Sequence, residues 1–180
     1  MDENAPRFAA WGLTLRSTGR AGTGLRSCHR LVGAPVTSNV RLHAVDIEDA
    51  EKYRTTLETE IDAHASRAVR LLIVDDVASW AAERSGYCQG NPIAMAVTDG
   101  ESGAWGIVIC RSIDQARVRS VLDRIEVGGS SLVREKLRSP GAFLRHTVLH
   151  ELAHLENSWG QDREDACDEW AFERFDAHAA

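Results

Sequence analysis

His146-Thr147-Val148-Leu149-His150-Glu151-Leu152-Ala153-His154 decides what this chain folds into and what it can do. Residues four apart on a helix lie one turn above each other on the same face. Val148, Leu149, Leu152 and Leu155 flank the two histidines, so the helix is a buried one and its imidazoles point inward, where they need partners. Two imidazoles so placed can hold one tetrahedral metal ion without bending the chain. Glu151 stands one residue round the helix from His150, near enough to act on a water molecule at the ion without displacing it. Zinc draws the pKa of water down towards neutrality, and the carboxylate takes the proton as the water attacks a peptide carbonyl. The spacing therefore predicts zinc on His150 and His154, with Glu151 as general base.

The helix has a clear beginning. Ser139-Pro140 offers a serine cap followed by proline at the first helical position. It is expected to end near Trp159-Gly160, and a second helix to run from about Asp162 through Trp170, Ala171 and Phe175. Catalytic zinc needs a third protein ligand and an open fourth position. The second helix carries Glu164, Asp165 and Asp168, all within reach of such a site. Glu164 shares its face with Cys167, Ala171 and Phe175, whereas Asp165 points about a quarter-turn away. A carboxylate in the first turn can complete the site, and Asp168, one turn on, can orient a ligating imidazole.

Upstream, Asp46 is a plausible cap for a helix with Ile47, Ala50, Leu57, Ile61 and Ala65 at helical spacing. Val69 to Val74 reads as a buried strand, followed by a short helix from about Asp76 to Arg84, ended by Gly86. Ile93 to Thr98 and Trp105 to Cys110 read as strands joined by the turn Asp99-Gly100-Glu101-Ser102-Gly103. Asp114 can cap a helix presenting Val118, Val121, Leu122 and Ile125, broken by Gly128-Gly129-Ser130-Ser131. Helix, strand, helix, hairpin and further helices in this order make an α+β domain with a small sheet, spanning residues 46–180. Residues 1–45 lack periodicity: from Pro6 to Val45 there are six arginines, five glycines and no acid. They read as an irregular or partly ordered arm.

Composition narrows the function classes. A chain of 180 residues can bury a real core, and 43% hydrophobic with 27% charged residues fits a globular protein. A net charge of −6 argues against a general nucleic-acid binder. No apolar run is long enough to span a membrane, and the acidic start Met1-Asp2-Glu3 lacks the pattern of a secretory signal. Cytoplasmic residence is the expectation. Cys28, Cys88, Cys110 and Cys167 lie far apart and read as small buried hydrophobes in a reducing compartment.

His150-Glu151-Leu152-Ala153-His154, followed by an acidic helix with alanine and an aromatic, resembles the gluzincin zinc metallopeptidases, and among them the compact ImmA/IrrE type. The likeness covers about His146 to Phe175; upstream it is one of element order. It implies a zincin-like fold, with a small, mostly antiparallel sheet packed on helices and an edge strand beside the cleft, for which Trp105 to Cys110 is the candidate. It further implies His150, His154 and Glu164 as zinc ligands, Glu151 as base and Asp168 as a supporting carboxylate. The expected function is a zinc-dependent endopeptidase acting on an intracellular protein or peptide, and the resemblance implies a regulatory protein as target. The alternative is a zinc-binding or pseudo-enzyme interaction module, which has no need of Glu151. His146, read as a partly exposed helix-start residue, and Tyr87, read as packing, are further candidates to assist catalysis. Trp159 and Trp170 are expected to hold the last two helices together.

Overall fold

The computed structural model describes residues 45–84, 91–127 and 133–177. The arm up to residue 44, Tyr87, Gly86 and the Gly128–Ser131 segment lie outside them. A 3-10 turn, Ala50–Tyr53, leads into α1, Arg54–His64, and then β1, Val69–Val74. Next come α2, Val77–Ala82, β2, Ala94–Thr98, and β3, Trp105–Cys110. They are followed by α3, Gln115–Val127, α4, Val133–Lys136, α5, Pro140–Asn157, a 3-10 turn Gln161–Arg163, and α6, Glu164–Ala177.

Three of the α-helices start on single capping side chains. Asp76 accepts the Ser79 N–H at 2.7 Å, Asp114 the Arg117 N–H at 2.9 Å, and Ser139 the Ala142 N–H at 3.2 Å. The first helix departs from expectation. Asp49 caps the 3-10 turn that leads into it, accepting the Glu51 N–H, while Ile47 is extended and exchanges both backbone hydrogen bonds with Ile113. Asp46 caps nothing, because pairing with Ile113 holds the chain extended beyond it. Val45, assigned to the arm from sequence, is buried in the core.

The sheet is mixed, not mostly antiparallel, with strand order β1-β3-β2. β3 runs parallel to β1, Val69 facing Trp105 and Val74 facing Cys110, and antiparallel to β2, Ala94 facing Ile109. Trp105–Cys110 is thus the central strand and not an edge. The reason is in its composition: from Gly106 to Cys110 every residue is buried, as a strand covered on both faces and both edges requires. A side chain at Gly106 would be crowded, since a Cβ there would stand 3.0 Å from Val97 Cγ2. The β2–β3 turn closes as the sequence predicts, with Asp99 accepting from Glu101 and Ser102 and Gly103 taking φ +67°.

α5 lies at the centre of the domain, in contact with β2, β3, α1 and α6. That is why it is apolar nearly all round, with Phe143, Leu144, Val148, Leu149 and Leu152 at 1% exposure or less. Truncating a leucine so enclosed costs about 2–5 kcal/mol, so the helix that carries the histidines is held rigidly. Arg145 on α5 makes a bidentate pair with the buried Glu60 of α1, at 3.0 and 2.9 Å, and lies over the Phe175 ring of α6. One guanidinium thereby ties three helices together. No helix among the described residues is long and apolar enough to cross a membrane.

Candidate metal centre

His150 and His154 occupy successive turns of α5, their ring centroids 5.1 Å apart. Each ring is fixed by what its Nδ1 touches. His150 Nδ1 lies 2.6 Å from Asp168 Oδ1, and His154 Nδ1 lies 3.0 Å from the Trp159 carbonyl oxygen. A carboxylate and a carbonyl can only accept, so both Nδ1 atoms carry the proton. Both Nε2 atoms then turn their remaining valence to one place. The left-handed C-cap Ser158, at φ 53°, turns the chain so that the Trp159 carbonyl meets His154.

Glu164, first residue of α6, closes that place from the opposite side. Its Oε2 stands 3.3 Å from His150 Nε2 and its Oε1 3.4 Å from His154 Nε2. One carboxylate thus makes an ion pair with both imidazoles, one through each oxygen. Arg124 of α3, which the sequence reading did not single out, hydrogen-bonds to Glu164 Oε2 and fixes the carboxylate from outside. Asp165 is exposed and Asp168 is buried at 6% exposure. Cys167, read from sequence as a small hydrophobe, is fully buried as expected, but its sulfur joins one nitrogen of each histidine in a group lying within 4.8 Å. A buried His-His-Cys group of this kind can hold a metal ion. The signal was in the spacing, because Cys167 follows Glu164 by three residues and shares its face.

The electrostatics of this cluster call for positive charge. Burial pulls the His150 imidazole down, but hydrogen bonds to Asp168 and Glu164 outweigh it and raise its pKa to about 10. For His154 burial acts the same way and is outweighed by Cys167 and Glu164, which raise it to about 11. Burial pushes Glu164 up, yet the two imidazoles hold it well below the ordinary carboxylate range. Donors that bind protons so tightly in the metal-free state are donors that a divalent cation can take over.

The remaining candidates fall differently. Glu151 Oε2 accepts the Ala96 N–H at 2.7 Å, and burial raises the carboxyl above its usual value against the lowering influence of the histidines. Cys110 N–H bonds to the Ile93 carbonyl, so residues 94, 96 and 98 of β2 turn their main-chain groups to its open edge, and Glu151 meets that edge. His146 is no exposed helix-start residue. It is 2% exposed, packs on Phe172 and has Nε2 3.8 Å from Asp168, because the apolar stripe of α5 carries it inward. Burial lowers its pKa to about 4, Asp168 offsetting only part. Tyr87 lies outside the described residues.

No family model, curated protein or solved structure matches the chain. Its own side chains must carry the assignment.

One titration follows directly. Histidines whose pKa is raised from 6.5 to about 10 and 11 keep their protons at neutral pH. They stabilise the metal-free fold fully below about pH 6.5, and that contribution is lost as pH rises through the folded values. A cation must displace one proton from each imidazole, so metal affinity should rise with pH over the same interval and fall in acid. Calorimetric metal titrations near pH 7 in buffers of different ionisation enthalpy should report this release; binding without proton release would contradict it.

Proposed function

We propose that the chain is a zinc-dependent endopeptidase. The observation that supports this most is the approach of His150 Nε2 and His154 Nε2 to the one Glu164 carboxylate, at 3.3 and 3.4 Å, with each Nδ1 already tied off. His150, His154 and Glu164 would hold the ion, with Asp168 and the Trp159 carbonyl setting the ring orientations. Zinc, when bound, supplies Lewis-acid polarisation of a carbonyl and acidifies water. Glu151, one position round α5 from His150, takes the proton from the attacking water and passes it to the leaving amine. Its raised pKa suits both transfers, since a carboxyl tuned upward gives a proton back more readily than an ordinary one.

The substrate would lie extended along β2, the strand whose open edge reaches Glu151, through main-chain hydrogen bonds. This shifts the docking strand from Trp105–Cys110 to Ala94–Thr98. By its likeness to the ImmA/IrrE type, a regulatory protein in the cytoplasm is the proposed substrate class. Metal analysis tests the reading. The purified protein should carry close to one zinc per chain, and chelation should lower its thermal midpoint, because an ion bound only by the folded state stabilises it. If His150→Ala, His154→Ala protein keeps its full zinc, the centre lies elsewhere.

A further inference from the structure

We infer that Cys167 is itself a metal ligand, so that the centre described above has four protein donors: His150, His154, Glu164 and the Cys167 thiolate. This rests on the proposed metal centre and deepens it by assigning the fourth position. Three features carry it. The Cys167 sulfur and one nitrogen of each histidine lie within 4.8 Å of one another. The residue is fully buried, so nothing from solvent competes for the thiol. It also sits in the first turn of α6, the end of a helix that favours negative charge, one turn of chain beyond Glu164.

The geometry explains why both side chains can serve at once. Glu164 and Cys167 are three residues apart on α6, and His150 and His154 four apart on α5, so two helix faces each present a pair of donors to the other. Zinc–sulfur bonds are longer than zinc–nitrogen bonds, about 2.3 against 2.0–2.1 Å. A thiolate among the donors selects zinc over magnesium or manganese, which prefer oxygen. With four protein donors the centre would have no open position, so the hydrolysis proposed above would require Cys167 to leave it first. Cys167 would then set how readily the centre becomes active.

Cobalt replaces zinc in such sites and makes the donors visible. Metal-free protein titrated with cobalt(II) should develop visible bands of a tetrahedral ion together with a strong near-ultraviolet thiolate-to-cobalt band. Cys167→Ser should lose the near-ultraviolet band, keep visible bands, and bind cobalt more weakly by more than the about ten- to hundredfold typical of outer-shell losses. Cys110→Ser, altering another buried cysteine, should retain the band, and Cys28→Ser and Cys88→Ser likewise. Visible bands in the wild type without the thiolate band would overturn the inference and leave the His150, His154, Glu164 centre standing. A thiolate band that survives Cys167→Ser would overturn it too. If no stoichiometric cobalt binds, the metal centre and the inference fall together. Circular dichroism of Cys167→Ala and Cys167→Ser, compared with wild type, separates loss of a ligand from loss of fold.

Discussion

Glu151→Gln is expected to keep its zinc and lose hydrolysis by two or more orders of magnitude, since a positioned general base contributes about 10²–10⁴-fold. Glutamine preserves the length of the side chain and the oxygen that accepts the Ala96 N–H at 2.7 Å, so the contact between α5 and β2 survives. What is lost is the ability to take and return a proton. Burial raises the Glu151 carboxyl above its ordinary value, which brings it closer to the working pH and makes its protonation state a usable one. The comparison needs zinc content and turnover of one unstructured protein substrate in both forms, with His150→Ala as a metal-deficient reference. Equal turnover with full metal would remove Glu151 from the chemistry. If the wild type hydrolyses nothing while holding zinc, the interaction-module alternative gains.

How far the molecule could be read from its sequence depended on the range of the interaction involved. Helix starts are set within four residues, and Ser139, Asp76 and Asp114 cap where their spacing predicts. The failed cap, Asp46, failed for a long-range reason: Ile47 pairs with Ile113, far along the chain. Strand order was illegible for the same cause. The β2–β3 turn is local and was foreseen, but β1 joins β3 across the helix and strand between them, which made Trp105–Cys110 central. Its unbroken apolar run pointed that way, though such a run also suits a buried edge.

The centre divides similarly. The facing of His150 and His154 is intrinsic to helical spacing, and the approach of Asp168 to His150 follows from its lying one turn beyond Glu164 on the inward face. Cys167 was ambiguous because a buried thiol is chemically both a small hydrophobe and a donor; only the positions of its neighbours distinguish them. Arg124 gave no signal, since one arginine on an amphipathic helix resembles any other until α3 is placed against α6. His146 was misjudged as exposed because the depth of the α5 N-terminal half depends on α6, whose Phe172 covers it.

Removing Glu164 should cost zinc affinity well beyond a hundredfold, removing Asp168 about ten- to hundredfold, and removing Asp165 nothing measurable. The ranking follows from what each carboxylate touches. Glu164 offers one oxygen to each Nε2, at 3.3 and 3.4 Å, and brings the negative charge that a divalent cation needs. Its loss also strands Arg124, a cation left near the ion with no acid between them. Asp168 touches no Nε2; it accepts from His150 Nδ1 at 2.6 Å. Without it a buried N–H is left unsatisfied, at about 1–3 kcal/mol, which is of the same order as the ten- to hundredfold effect of outer-shell partners. Asp165 is exposed, and among the described residues no hydrogen bond or ion pair links it to the cluster. The variant Asp168→Asn separates orientation from charge, because its amide oxygen can still accept the same N–H. Recovery of most of the affinity would show that Asp168 acts by holding the His150 ring. Competition with a chromophoric chelator measures the wild type and the four variants on one scale, and a greater loss for Asp165→Ala or Asp168→Ala than for Glu164→Ala would move the ligand to that residue.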